Sequence, residues 1–83
     1  MKYRARVEIS LKSGLSDPEG ETSAASLRDL GYKVHWVSTG KVYYIHLEAG
    51  SLEEAQGKVD EMCRRLLANP VKDDYMVQVE KME

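Results

Sequence analysis

The chain has 83 residues, of which 42% are hydrophobic and 31% are charged, and its formal net charge is −2. This length predicts one domain, residues 1–83, with one small core. Folding buries only about 60–65% of the surface of so short a chain, so association with another chain is expected to add stability. No basic excess attracts nucleic acid or an anionic membrane, and no apolar run approaches the roughly 20 residues of a membrane span. A single cysteine excludes an internal disulfide, and these features together predict a cytoplasmic protein.

Alternation of apolar and polar residues predicts four strands. The first runs from Tyr3 to Leu11, where every second residue is apolar. Val34 to Ser38 and Lys41 to Ala49 are the second and third. The short Thr39–Gly40 connection between them predicts a hairpin, in which Gly40 supplies a positive φ. The last strand alternates from Tyr75 onward.

The first helix is predicted to follow the first strand. Asp17 fits an N-cap, and Pro18 fits the first helical position. A type I turn that ends at Gly20, with the helix beginning near Thr22, is also compatible with these residues. In either case Gly31 is the expected C-terminal stop.

The second helix begins with a predicted capping box formed by Ser51 and Glu54. It is predicted to end before Pro70, because the residue before a proline avoids helical geometry. Residues at helical spacing predict a buried stripe, in which the only thiol packs as a small hydrophobe. The stripe consists of Leu52, Ala55, Val59, Met62, Cys63 and Leu66.

The order β-α-β-β-α-β predicts an α+β, ferredoxin-like antiparallel sheet with both helices on one face. The third strand is apolar on both sides: Tyr43, Ile45 and Leu47 point one way, and Val42 and Tyr44 point the other. A layer covered on one face only would leave apolar side chains in water, and large patches of this kind mark interaction sites. The pattern therefore predicts an interface on the sheet face, most simply that of a homodimer.

Several short blocks, in order and at compatible spacing, carry a resemblance that runs from about Tyr3 to Glu80. They are Asp17-Pro18-Glu19-Gly20, Leu30-Gly31, Gly40-Lys41, the segment from Glu61 through Pro70, and Asp74-Tyr75. Together they resemble PurS, the small-subunit family of phosphoribosylformylglycinamidine synthase. One departure is visible, because Ser38 and Thr39 precede Gly40-Lys41 where the family often carries an arginine.

The resemblance implies a non-catalytic assembly subunit in de novo purine biosynthesis. It also implies a homo-oligomer, a dimer or a tetramer, with paired ferredoxin-like units and exchange of strands between protomers. The implied partners are the ATP-dependent synthetase subunit, PurL, and the glutaminase subunit, PurQ, between which ammonia passes. The resemblance implies no cofactor in this chain, and it assigns ATP and Mg²⁺ to the large subunit.

The residues themselves predict no catalytic, cofactor-binding or metal site. Cys63 lacks an adjacent base, and His35 and His46 stand apart from any metal-binding pattern. Two alternatives are a ferredoxin-like regulatory dimer that binds an effector and, with less support, an acylphosphatase-type enzyme. An interface with a partner or a second copy is predicted at twelve residues. They are Asp17, Pro18, Gly20, Val34, Trp36, Gly40, Lys41, Val42, Tyr44, His46, Asn69 and Pro70.

Overall fold

The computed structural model describes residues 1–82 as a three-stranded antiparallel sheet with one helix packed on it and a second helix beside it. The alternation of strands and helices confirms the predicted ferredoxin-like α+β class, in the shorter order β-α-β-α-β. No helix in this described part is long and apolar enough to cross a membrane. The elements are β1 (Lys2–Leu11), α1 (Pro18–Asp29), β2 (Gly40–Glu48), α2 (Leu52–Met62), a π-helical turn (Cys63–Leu67) and β3 (Asp73–Met82).

β1 is the central strand of the sheet, whose order is β2-β1-β3. Its antiparallel register places Val7 opposite Tyr43 on one side and Val77 on the other. Because side chains alternate along a strand, the odd-numbered residues of β1 share one face. Tyr3, Ala5, Val7 and Ile9 are all buried there, which confirms the predicted apolar face.

α2 covers this face above β1 and β3, and the core lies beneath it. Val59 and Cys63 are fully buried, in one cluster with Ala5 and Val7. The prediction that Cys63 packs in the core is confirmed, and burial raises the pKa of its thiol. A raised pKa leaves less thiolate, the reactive form, so this cysteine is poorly suited to nucleophilic chemistry.

The end of α2 corrects the predicted stripe. In the π-helical turn, the Ala68 N–H donates to the Cys63 carbonyl oxygen five residues earlier, at 2.9 Å. The wider turn rotates the following side chains, so that Leu67 packs on the core and Ala68 is buried. Leu66 was predicted to be buried, but it is 82% exposed. Leu52, at the other end of the stripe, is also exposed.

The predicted strand at Val34–Ser38 is absent, and so is the predicted hairpin. Residues 32–39 form an irregular connection between α1 and β2, and Gly40 is the first residue of β2. Gly40 does not have a positive φ. A Cβ at this position would lie 2.7 Å from the Ile9 carbonyl oxygen, so the close approach of β1 requires the glycine.

The prediction that both helices lie on one face of the sheet is met only by α2. α1 makes few contacts with any strand, and the molecule measures 51 × 29 × 13 Å. The radius of gyration is 16.4 Å, compared with roughly 12 Å for a compact chain of this length. One part of the chain therefore extends away from the rest.

The ends of both helices follow the sequence signals. α1 begins at Pro18 with Asp17 as its N-cap, so the first of the two alternatives is correct. Gly31 has a φ of +100° and follows the last turn, where its N–H donates to the Arg28 carbonyl oxygen. At α2 the Glu54 N–H donates to the Ser51 hydroxyl at 3.1 Å.

Candidate subunit-interaction site

Residues Asp17–Thr39, comprising α1 and the connection after it, are here called the arm; the sheet, α2 and the π-helical turn are the body. Hydrogen bonds from Gly20 and Thr39 to the Asp17 carboxylate, called the clasp, join the first and last residues of the arm. The carboxylate accepts the Gly20 N–H at 2.9 Å, the Thr39 N–H at 2.7 Å and the Thr39 hydroxyl at 3.1 Å. These bonds, first that from the Gly20 amide, lower the pKa of Asp17. The clasp joins residues 22 positions apart.

Close packing within the arm adds to the clasp. Gly20 and Ala24 are buried on the face of α1 that meets the connection, and a Cβ at Gly20 would collide with the Val37 carbonyl oxygen. Near the far end, the Arg28 guanidinium donates to the carbonyl oxygens of Val34, at 3.0 Å, and His35. The helix and the connection are thus held together at both ends, as one unit.

The outer surface of the arm is apolar near its tip. Leu30 is 75% exposed, Tyr32 is 62% exposed and Trp36 is 79% exposed. Val34 and Val37, by contrast, are half-buried. Three large apolar side chains are thus exposed within seven residues, and the arm leaves this apolar surface in contact with water.

The body has an apolar groove where α2 leaves β2 uncovered. The groove has a volume of about 590 Å³ and exposes mostly apolar surface. Ile45 of β2 lines it, with Met62, Leu66 and Leu67 from the end of α2 and the π-helical turn. Lys58, Glu61 and Arg65 supply its charged part. The turn that exposes Leu66 therefore places this side chain on the wall of the groove.

The opposite face of the sheet carries Val42, Tyr44 and His46, as the alternation predicted. This face is less apolar than the third strand suggested, because the central strand contributes charged residues to it. Arg4 lies opposite His46 and stacks over the Tyr44 ring, 4.6 Å from its centroid. Stacking shields part of the ring from water, although Tyr44 remains 54% exposed and Val42 beside it is 42% exposed.

The corner between the π-helical turn and β3 is fixed by its own hydrogen bonds. The Asn69 side-chain oxygen accepts the Val71 N–H at 2.9 Å, and the Asn69 N–H donates to the Asp73 carboxylate at 2.9 Å. Pro70 follows on the surface. The side-chain oxygen of Asn69 therefore serves the turn itself.

A hydrogen-bonded group joins α2 to β3. The Tyr75 hydroxyl donates to the Asp60 carboxylate at 2.6 Å, and Arg64 donates to the same carboxylate at 2.8 Å. The bond from Tyr75, more than that from Arg64, lowers the pKa of Asp60. The same bond raises the pKa of the Tyr75 hydroxyl. This group is a structural link, because each oxygen of the Asp60 carboxylate accepts a hydrogen bond from another member of the group.

Comparisons with known proteins identify the family to which this chain belongs. The family model for PurS, phosphoribosylformylglycinamidine (FGAM) synthase, matches residues 4–81. The chain belongs to the PurS family. It is 53% identical over 74 residues to the PurS subunit of Archaeoglobus fulgidus. The aligned residues cover 88% of this chain and 92% of that protein. PurS is a subunit of FGAM synthase in purine biosynthesis, and this function was predicted from the sequence.

Solved PurS structures share the fold. The PurS crystal structure from Methanocaldococcus jannaschii is 44% identical, covers 98% of this chain and 99% of its own, and has a TM-score of 0.85. A chain in the structure of PurLQS from Thermotoga maritima is 31% identical, covers 96% and 99%, and has a TM-score of 0.88. Similarity over nearly the full length of each chain confirms the fold class.

The twelve residues predicted for a PurS interface lie in four places. The root of the arm contains Asp17, Pro18, Gly20, Gly40 and Lys41, and the arm itself contains Val34 and Trp36. The sheet face opposite α2 carries Val42, Tyr44 and His46. The corner before β3 contains Asn69 and Pro70. Their role at an interface stays a prediction. The sequence analysis missed Thr39 as a partner of Asp17, and it missed the groove, because long-range packing creates both.

Proposed function

We propose that this chain is a non-catalytic assembly subunit, which joins a PurL-type synthetase and a PurQ-type glutaminase and supports transfer of ammonia from glutamine. The observation that carries the proposal is membership in the PurS family over residues 4–81, together with similarity to a chain of PurLQS. In this proposal residues 1–83 act as one domain in the cytoplasm. ATP and Mg²⁺ belong to the synthetase, and the chain holds no cofactor.

The proposal includes a homodimer, in keeping with the sequence prediction of a homo-oligomer. The extended arm and the uncovered groove support it, because both leave apolar side chains in water. A dimer that buries these surfaces would also compensate for the small core of a short chain.

Reconstitution tests the proposal. Purified synthetase and glutaminase from the same source are assayed for FGAM formation with and without this chain, with either glutamine or ammonium as the nitrogen source. We expect the chain to raise glutamine-dependent turnover at least tenfold and to change ammonium-dependent turnover little. Equal glutamine-dependent turnover with and without it would contradict the proposal. Saturable binding of a purine intermediate or an amino acid to the isolated chain would favour the effector-binding alternative.

A further inference from the structure

We infer that the Asp17–Pro18 peptide bond is a self-cleavage site, which the clasp keeps inactive in the folded chain. The Asp17 carboxyl group is the nucleophile, water is the co-reactant, and cleavage divides the chain into residues 1–17 and 18–83. This inference concerns the chemistry of the arm root and does not depend on the proposed assembly role. Three features support it: the residues at the bond, the hydrogen bond of its carbonyl group, and the restraint on the carboxylate.

The first feature is an acidic side chain directly before a prolyl bond. The chain has two prolines, and only Pro18 follows an aspartate, because Asn69 precedes Pro70. The bond before a proline is a tertiary amide, whose nitrogen takes up a proton and departs more readily than an ordinary peptide nitrogen. The carboxyl group of a preceding aspartate reaches the carbonyl carbon of this bond through a five-membered ring. Asp–Pro bonds are for this reason among the most acid-labile peptide bonds.

Cleavage consumes one water molecule. An oxygen of the Asp17 carboxyl group forms a bond to the backbone carbonyl carbon of Asp17, and the bond from that carbon to the Pro18 nitrogen breaks. The nitrogen takes up the carboxyl proton and leaves as a secondary amine. Water then opens the cyclic anhydride, which restores the side-chain carboxyl group and gives Asp17 a C-terminal carboxyl group.

The second feature is the hydrogen bond of the carbonyl group under attack. The Glu21 N–H donates to the Asp17 backbone carbonyl oxygen at 2.9 Å, at the start of α1. A donor at this oxygen stabilises the negative charge that develops when the carbonyl carbon is attacked. The helix therefore favours the reaction at the carbonyl group, and the restraint on the reaction lies at the carboxylate.

The third feature is the clasp, which occupies both oxygens of the nucleophile. Oδ1 accepts the Gly20 N–H at 2.9 Å, Oδ2 accepts the Thr39 N–H at 2.7 Å, and the Thr39 hydroxyl lies 3.1 Å from each oxygen. Attack requires an oxygen aligned with the carbonyl carbon, so the carboxylate has to give up some of these charge-assisted bonds. A Cβ at Gly20 would lie 2.9 Å from Oδ2, which shows how little room the carboxylate has to turn.

The clasp also withholds the proton that the reaction needs. Its bonds lower the pKa of Asp17, first the bond from the Gly20 amide and then that from the Thr39 amide. Just above the ordinary pKa of 3.8, the carboxyl group is therefore more fully ionised in the folded chain than in the unfolded chain. Because the leaving nitrogen takes its proton from the carboxyl group, ionisation slows cleavage.

Cleavage would loosen the arm and leave the body assembled. β1 pairs with β2 on one side and with β3 on the other along almost its whole length, so it would stay in the sheet after the chain is cut. The rest of the arm would keep a covalent attachment to the body only through Thr39. The cut is therefore detected under denaturing conditions, which separate the two pieces.

The test follows cleavage of the full chain by denaturing mass spectrometry, in a buffer just above pH 3.8. The chain is incubated with and without urea, and circular dichroism verifies that it is folded without urea. We expect cleavage into residues 1–17 and 18–83 to be at least tenfold faster in urea, because unfolding opens the clasp. The Asn69–Pro70 bond, which lacks the carboxyl group, should stay intact in both samples, and Asp17→Asn should prevent the cut after residue 17.

Variants of Thr39 test the clasp itself. Thr39→Val removes the hydroxyl and keeps the N–H, so we expect cleavage of the folded chain to become about threefold faster or more and cleavage in urea to stay the same. Thr39→Ser keeps the hydroxyl and should cleave at the original rate. Ser51→Ala is the matched control, because it removes a hydroxyl that caps α2 and leaves the clasp untouched.

Three outcomes would overturn the inference. Equal rates with and without urea, or an unchanged rate in Thr39→Val, would show that the clasp does not protect the bond. Equal acceleration by Ser51→Ala and Thr39→Val would show that cleavage follows general loss of stability. Absence of the two pieces in urea would show that the bond is not a cleavage site. None of these results affects glutamine-dependent turnover in the reconstitution, so this inference and the proposed function fail separately.

Discussion

The body and the arm are stabilised by different interactions. The body buries Tyr3, Ala5, Val7 and Ile9 of β1, and Val7, Val59 and Cys63 are fully excluded from water. Within the arm only Gly20 and Ala24 are buried, and the arm is held together mainly by hydrogen bonds that Asp17 accepts and that Arg28 donates. The body therefore has an ordinary small core, whereas the largest apolar side chains of the arm, Leu30, Tyr32 and Trp36, are mostly exposed to water.

Loss of core volume should have the largest effect. Val59→Ala removes two buried methyl groups under the sheet, and we expect it to lower the free energy of unfolding by about 2 kcal/mol. Val71→Ala removes the same groups from the surface and should change it by less than about 0.5 kcal/mol. Urea unfolding at constant protein concentration measures both. Similar losses for the two variants would show that α2 does not form the core of the body.

Two helical glycines should respond to alanine in opposite directions. Gly20→Ala places a methyl group against the Val37 carbonyl oxygen, so we expect it to destabilise the arm by about 1 kcal/mol or more. Gly57 in α2 has open space around it, and Gly57→Ala should stabilise the protein by about 0.5–1 kcal/mol. Hydrogen exchange locates the first effect in the arm, and chemical unfolding measures the second. Stabilisation by Gly20→Ala would contradict the close packing of the arm.

Acid should open the clasp of the arm. The pKa of Asp17 is lowered below its ordinary value of 3.8, so its charged hydrogen bonds contribute fully above that pH. Their contribution is lost as the pH falls through the lower folded-state pKa, when the carboxylate becomes protonated. Protection of the Thr39 amide from hydrogen exchange should therefore decline in this range.

The control for the acid experiment is Asp17→Asn, which keeps an acceptor oxygen but carries no charge. It should give lower protection of the Thr39 amide near neutral pH and remove the Asp17 contribution to its acid dependence. Because the pKa values of Glu54 and Asp60 are also lowered, the body has its own acid dependence, which this variant should retain.

The smallest effect is expected at the link between α2 and β3. Tyr75→Phe removes the hydroxyl that donates to Asp60 at 2.6 Å, so the pKa of Asp60 should rise towards its ordinary value. NMR titration of the carboxyl carbons measures this change. Tyr44→Phe, on the opposite face of the sheet, should leave the pKa of Asp60 unchanged. An unaltered pKa in Tyr75→Phe would show that Arg64 alone holds the carboxylate in its charged form.

Local signals in the sequence predicted several features correctly. Alternation gave β1 and its buried face, and Asp17, Pro18 and Gly31 gave the ends of α1. The motifs around Asp17-Pro18 and Asn69-Pro70 gave the family. Each of these features depends on residues close together in the chain, where backbone geometry and side-chain period act directly.

The structure decided what distant residues do to one another. Leu66 lies at helical spacing with Cys63, yet the π-helical turn rotates it out to the groove, since Leu67 and Ala68 pack on the core instead. Val34–Ser38 has a strand pattern but no strand beside it, and Thr39 binds a carboxylate 22 residues away. The spacing of apolar residues along a chain specifies which side chains need to be buried, and only the tertiary arrangement determines whether the same chain can bury them.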